Sequence, residues 1–233
     1  MKERFGMRHW LKRVFGLPAA REHTARLIAS GEVARALDVG CGEWSHLSGF
    51  RPGVWTAGVD VCEAAVARAK ARGLHDAYLA ADVLAVEPAE IVARLGGEPF
   101  DLVTLYGVIE HLPKRQGFAL LEQCEAITRR FVLLETLNGF VPQGPEFGNE
   151  HQRHLSGWFA HDFMGLGYEV FGTTGLKYLH GYAGEFRWRF SGVAVLDAAL
   201  AWGLRADVRC RHAFNLLAVK DVRGVPARLS RPA

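Results

Sequence analysis

The stretch Leu37-Asp38-Val39-Gly40-Cys41-Gly42-Glu43 decides how this chain is read. It closes a run of strand-forming residues and places two glycines one residue apart where the chain must turn. So tight a turn needs residues without a Cβ, and Gly40 and Gly42 let the backbone approach a ligand at the N-terminus of a helix expected to begin near Trp44. Asp60 follows twenty residues after Gly40, at the end of the next strand-like run, where a carboxylate can accept two hydrogen bonds from ribose hydroxyls. Both acids sit where the carboxyl ends of strands would meet a ligand.

Outward from this stretch, short β-branched or leucine-rich runs alternate with longer helical ones, a pattern that demands a parallel sheet with crossover helices. It predicts strands at Ala34–Val39, Val54–Val59, Ala77–Ala80, Leu102–Tyr106 and Phe131–Leu134, with helices near Cys62–Arg72, Pro88–Leu95 and Pro113–Ala126. Two further strands, Tyr168–Gly172 and Phe214–Lys220, close the sheet, the last hairpinned antiparallel to the sixth. The expected fold is therefore α/β: a Rossmann-like, seven-stranded, mostly parallel sheet with helices on both faces. The last two strands are separated by about 40 residues, too many for a hairpin without structure of its own. Within this insertion, at about 175–212, LKYLHGYAGEFRWRF reads as an irregular aromatic-basic loop and SGVAVLDAALAWGL as a helix. The expected domain plan is a basic N-terminal segment at 1–30, a main domain at 31–222 and a tail at 223–233.

With 233 residues, 49% of them hydrophobic and 23% charged, the chain can bury a core without staples. Its cysteines, Cys41, Cys62, Cys124 and Cys210, form no C-x-x-C and follow no secretory signal, so neither a disulfide framework nor structural zinc is expected, and the reduced cytoplasm is the natural compartment. The formal charge of +3 does not by itself mark a nucleic-acid protein, but residues 1–35 carry eight Lys/Arg against three Glu. MKERFGMRHWLKRVFGLP sets Phe5, Trp10, Leu11, Val14 and Phe15 at helical spacing among basic residues. This helix either packs on the domain, closes over the active site or docks on a membrane surface. No run of about 20 apolar residues is present for a spanning helix.

A dinucleotide fingerprint wants a third glycine where Ser45 stands, and the acidic Asp38 ahead of the first glycine would repel a pyrophosphate. The sulfonium and ammonium of S-adenosylmethionine are cationic and favour a carboxylate there. At this point the chain resembles the class I S-adenosylmethionine-dependent methyltransferases, in the small-molecule group that includes the ubiquinone-biosynthesis enzymes. The resemblance runs from about Ala34 to Tyr168: L-D-V-G-C-G as first motif, G-V-D-V as second, A-A-D-V at Ala80–Val83 as third, and Phe100–Val103 through Val108–Leu112 as the fourth strand and its turn. It implies that Asp60 binds the ribose, that Asp82 accepts from the adenine amino group and that the Val83 amide faces the ring. With Asp38, Gly40, Cys41, Gly42, Val61, Tyr106 and Gly107 these make the expected cofactor set. Cys41 reads otherwise as a small packing residue without a nucleophilic role, Asp82 as a turn former and Asp101 as a strand-entry residue.

Methyl transfer from a sulfonium needs alignment, exclusion of water and, for a poorly ionised acceptor, a base. Candidate bases follow strands four and five: Glu110, His111, Glu135 and Asn138. His111 is the expected catalytic residue, as base or orienting donor, unless it caps the helix near Pro113. Relatives that hold a divalent cation with a Glu-His pair carry a further Glu three residues earlier. Gly107 stands there in this chain, so metal-independent turnover is expected, even if His151 or His154 could add a nitrogen ligand. The polar stretch Asn149–Trp158 reads as a wall of the substrate pocket or as a loop that fixes the chain. The acceptor is expected to be a small or lipid-linked metabolite, methylated at oxygen or nitrogen. DNA is not expected, because the chain lacks the Pro-Pro-aromatic and Pro-Cys signatures of base methylation. The competing reading is a non-catalytic binding or scaffold protein of the same fold.

Overall fold

The computed structural model describes residues 20–145, 149–186, 193–204, 206 and 210–224. Inside its sheet, between two other strands, lies β1, Arg35–Val39, buried on both faces from Ala36 onward. That burial is why its sequence reads as a nearly continuous apolar run. The other strands are β2 (Trp55–Asp60), β3 (Ala77–Ala80), β4 (Phe100–Tyr106), β5 (Thr128–Leu137), β6 (Glu169–Leu176) and β7 (Ala213–Asp221), in the spatial order β3-β2-β1-β4-β5-β7-β6. The first five run parallel, and β7 runs antiparallel to both β5 and β6. The strand order reverses between β1 and β4, so their carboxyl ends flank a crevice where ligands of open α/β sheets bind.

Alternation along each strand divides the core in two. Leu37, Val39, Val103, Leu105, Val132 and Leu134 face Ile91 of α3 (Pro88–Arg94) and Leu120, Leu121 and Cys124 of α4 (Lys114–Ile127). The intervening Ala36, Leu102, Phe131 and Leu133 face Ala20 and Leu27. Those two belong to the helix Ala20–Ala29, here α1; Glu63–Ala71 is α2, Ala160–Met164 α5 and Val193–Gly203 α6. Asp101 ties the strand entries together: it accepts from the Ala34 and Arg35 amides at 2.9 and 3.0 Å and pairs with Arg129 Nε at 2.6 Å. Burial opposes its charge, yet Arg129 and the two amides hold its carboxyl below the usual range. Asp101 is thus a strand-entry anchor, as its position suggested.

Several expectations need correction. No α-helix starts near Trp44; a turn there leads to a single 3-10 turn at Leu47–Phe50. Ser45 is the reason, together with Pro52: the Ser45 hydroxyl donates to Asp38 and accepts from the Leu47 amide, competing with helical bonding, and Pro52 could not extend a helix. β5 is longer at both ends than its apolar run, because β4 pairs with its start at Phe100↔Thr128 and β7 supplies ladder partners as far as Leu137↔Asn215. β6 continues past Gly172 to Leu176 through an irregularity at Thr174 and Gly175, both at positive φ. The basic helix expected over residues 1–18 lies outside the described residues, as do 187–190 of the aromatic-basic stretch, 191–192 at the start of the expected helix and the tail beyond 224. Among the described residues, no helix is long and apolar enough to cross a membrane.

Trp158 fastens the loop after β5 to the body of the domain. It is fully buried, stacks on Phe163 with ring centroids 5.4 Å apart, meets Phe118 edge-on at 5.0 Å, and donates through Nε1 to Ser156 Oγ at 2.8 Å. Its six-membered ring occupies the space a Cβ would need at Gly117 in α4. Gly117→Ala removes a helical glycine, worth about 1 kcal/mol in an exposed helix. Here the overpacking costs about 1–3 kcal/mol and outweighs that gain. Denaturant unfolding of the variant should show a net loss of stability; a more stable variant would contradict this packing.

Candidate functional site

The turn after β1 is set by two amides on one carbonyl: Gly40 and Cys41 N–H both donate to Val59 O, at 2.8 and 3.1 Å. Gly40 has φ +71°, and a Cβ there would lie 2.5 Å from Val108 Cγ2, so the turn is pressed against the segment after β4. Gly42, at φ +51°, has no atom within 4 Å of the place its Cβ would take and faces open space. Cys41 is buried, and burial, with Asp38 and Asp60 nearby, pushes its thiol well above the usual range. It packs and does not act as a nucleophile.

Asp38 is buried at the end of β1. Its carboxylate accepts from Thr104 Oγ1 at 3.0 Å and from the Ser45 hydroxyl, and His75 Nε2 lies 3.8 Å away. Burial raises its pKa to about 6, the two hydroxyls pull it back and the Asp60 charge adds to the rise. Asp60 closes β2 half-exposed and spans the edge, taking the Gly42 amide on Oδ2 at 2.9 Å and the Cys62 amide on Oδ1 at 2.8 Å. Each oxygen keeps a lone pair for an outside donor. Val61 beside it is exposed. Asp82 is exposed and accepts from the Leu84 amide at 2.9 Å, so it does form a turn, with Val83 buried under it. On the other side of the crevice the Tyr106 hydroxyl meets Thr24 of α1, its ring lies 4.2 Å from that of His46, and Gly107 turns at φ +65° with its amide on Glu135 O. The structure therefore gathers Asp38, Gly40, Gly42, Asp60 and Gly107 around the carboxyl ends of β1, β2 and β4.

The candidate bases separate. Asn138 spends both amide hydrogens on the Cys210 and Ala213 carbonyls, at 2.7 and 2.8 Å, and holds the chain in place. Glu135 accepts from Thr173 Oγ1 at 2.6 Å. Glu110 is buried, takes Thr136 Oγ1 at 2.8 Å, and burial raises its carboxyl above the usual range. His111 is half-exposed and does not cap α4, whose cap position is Pro113. The Asn149–Trp158 loop folds onto this turn: Leu155 and Ser156 amides donate to Glu110 O at 2.8 and 3.1 Å, and Ser156 Oγ donates to Ile109 O at 3.1 Å. It brings His154, and not the exposed His151, to the pair. Glu110, His111 and His154 each offer a ligand atom within 4.8 Å of the others. His154 Nδ1 sits 2.6 Å from Val141 O and His111 Nδ1 3.3 Å from Arg153 O. A carbonyl only accepts, so in each ring Nδ1 carries a hydrogen and donates it.

Beyond His154 the edge opens into a cavity of about 590 Å³ lined by Asn138, Phe140, Val141, Pro142, Lys177, Tyr178, His180, Gly181, Tyr182 and Phe214. Except for Asn138, none of these stood out in the sequence. The only signal was the density of aromatic residues in the insertion.

Residues 37–129 match the family described as a methyltransferase domain. No curated protein sequence matches the chain. Among solved structures it is similar to a SAM-dependent methyltransferase from Archaeoglobus fulgidus, at 15% identity over 86% of this chain and 92% of that one, with a TM-score of 0.53. It is similar also to the N-methyltransferase NodS from Bradyrhizobium japonicum WM9, at 16% identity over 89% and 94% of the two chains, TM-score 0.52. The plantazolicin methyltransferase BpumL, solved in complex with SAH, is 16% identical over 90% and 83%, TM-score 0.52. Identities this low speak for the fold alone. The chain thus carries a match to the methyltransferase domain from β1 into β5, in a seven-stranded fold similar to that of these solved methyltransferases.

Proposed function

We propose that the protein is an S-adenosylmethionine-dependent methyltransferase acting at oxygen or nitrogen of a small-molecule or lipid-linked acceptor. The observation that carries this reading is Asp60, held by the Gly42 and Cys62 amides at the end of β2 beside a two-glycine turn that faces open space. Its free lone pairs suit the two ribose hydroxyls. Asp82 and the Val83 amide suit the adenine, and Val61, Tyr106 and Gly107 suit the walls of the crevice. Asp38 lies where a carboxylate attracts the cationic part of the cofactor. S-adenosylmethionine supplies, when bound, a methyl group on a sulfonium that leaves without protonation. The residues after β4 would then position the acceptor and take its proton, His111 through Nε2. The scaffold reading is disfavoured by an intact turn with every carboxylate of the set in place.

A second reading has one observation in its favour: the Glu110–His111–His154 cluster, two imidazoles and one carboxylate, is a donor set that suits a divalent cation. The proposal stays with metal-free turnover, since Gly107 withholds the fourth donor and Glu110 is engaged by Thr136. Once a labelled-methyl screen yields an acceptor, EDTA should leave activity intact, and His111→Ala should lower kcat about 10²-fold or more near neutral pH. Activity abolished by EDTA and restored by Mg²⁺ or Mn²⁺ would establish the cation reading instead.

Cofactor binding is tested by titration with S-adenosylhomocysteine. Asp60→Ala should weaken it by about 1–3 kcal/mol while the fold survives. Gly40→Val should abolish it, since its side chain meets Val108 and opposes the positive φ. Wild-type affinity in the folded Asp60→Ala variant would remove the ribose assignment.

Asp38 makes the same titration pH-dependent. Its folded pKa, about 6, lies above that of an unfolded aspartate, so the fold favours its neutral form. The stability from that preference is complete below about pH 4 and is lost as pH rises through about 6. A bound ammonium reverses the preference and needs the carboxylate ionised. Affinity for S-adenosylhomocysteine should therefore rise about tenfold from pH 5 to pH 7.5 and then level off. Asp38→Asn should flatten the profile, and a flat wild-type profile would show that Asp38 does not face the ligand's charge.

A further inference from the structure

We propose that the cavity between the β5–β7 edge and the insertion binds a planar aromatic anion, a ring system carrying a carboxylate or a similar acidic group, as the methyl acceptor. The inference rests on the methyltransferase reading for the word acceptor, but the chemistry of the cavity stands on its own residues.

Its walls are faces of rings. Phe140, Tyr178 and Tyr182 are 56%, 52% and 64% exposed around it, far more aromatic surface than a domain leaves to water without use. Buried His180 packs between two rings, Phe214 at 4.0 Å with 15° between the planes and Phe186 at 4.4 Å, and with Phe214 it contributes to the lining. A volume of about 590 Å³ suits a molecule of one or two rings with substituents.

Among the described lining residues the one fixed charge is positive, and the buried Asp197 carboxylate outside the lining lies 3.5 Å from His180 Nε2. Lys177 is half-buried in the lining, and among the described residues no carboxylate pairs with it. Among the described residues none that lines it is acidic. Tyr182 accepts the Gly144 amide at 3.0 Å, which leaves its own hydroxyl hydrogen to donate. A partly desolvated cation and a phenolic donor, with aromatic faces around them, together complement a flat anion better than an alkyl chain or a cation.

The cavity is also built, and it adjoins the candidate bases. The Ala183 amide donates to Pro142 O at 3.0 Å and holds Ala183 at φ +50°, a conformation that costs an alanine free energy, so the turn is locked to the opposite wall. Val141 of the lining accepts from His154 Nδ1, and the His154 ring lies 4.9 Å from that of His111. His154 thus connects the wall of the cavity to the Glu110–His111 turn.

The test uses the full chain and three probes: 1-naphthoate, its neutral counterpart 1-naphthalenemethanol, and decanoate as an aliphatic anion, each titrated with and without S-adenosylhomocysteine. Naphthoate should bind about tenfold more tightly than the other two. Lys177→Gln should erase its advantage over the alcohol, Tyr178→Ala should weaken both ring probes severalfold, and S-adenosylhomocysteine affinity should be unchanged in both variants. Equal binding of alcohol and naphthoate would overturn the anion, equal binding of decanoate the aromatic ring, and binding of none at millimolar concentration the site itself. Naphthoate binding without any S-adenosylhomocysteine binding would instead refute the methyltransferase reading and leave the cavity assignment standing.

Discussion

The rest of the site depends on one backbone arrangement: the amides of Gly40 and Cys41 converging on the carbonyl of Val59, with Val108 close behind Gly40. Two donors on one acceptor draw the end of β1 across β2, so that the chain crosses the edge of the sheet and does not run straight past it. The Gly42 amide is then presented to Asp60, which closes the same loop from the β2 side. A side chain at Gly40 would break the arrangement by geometry and by volume at once. The crevice is therefore a property of main chain held between three neighbouring strands.

Polar groups near this turn are held at a cost that packing has to offset. Asp38 is buried with its charge disfavoured, and His75, packed over Gly58 and 3.8 Å from Asp38, is held neutral by burial, with its pKa near 4. Glu110 is likewise buried and raised. Titratable groups with shifted pKa values, gathered at the carboxyl ends of strands, are a common mark of functional sites. The large apolar faces on both sides of the sheet supply the compensating stability.

How much of this the sequence disclosed follows from how local each feature is. The order of strands and helices was legible, because the periods of two and 3.6 residues are written in short windows. Asp38, Gly40, Gly42 and Asp60 were legible too, since one turn and one strand end define them. The extent of β5 was not: Thr128–Arg130 look like a loop until Phe100 of β4 pairs with Thr128, and Thr136 and Leu137 until Leu216 and Asn215 of β7 pair opposite them. The helix expected at Trp44 failed because Ser45 is spent on Asp38, a contact no period records. His154 meets Glu110 across 44 residues of chain, and Phe140 shares a cavity with Phe214 across 74, so neither the triad nor the cavity had a local signature.

The central claim is that the β1–β2 edge is shaped for an adenosyl amino acid and not for a dinucleotide. Calorimetry of the wild-type protein at pH 7.5 tests it most directly, with S-adenosylhomocysteine in one titration and NAD in the other. The account predicts saturable one-to-one binding of S-adenosylhomocysteine and no binding of NAD at the same concentrations, because Asp38 and Ser45 stand where a pyrophosphate would need a neutral glycine turn. Binding of NAD, or heat from neither ligand, would contradict it.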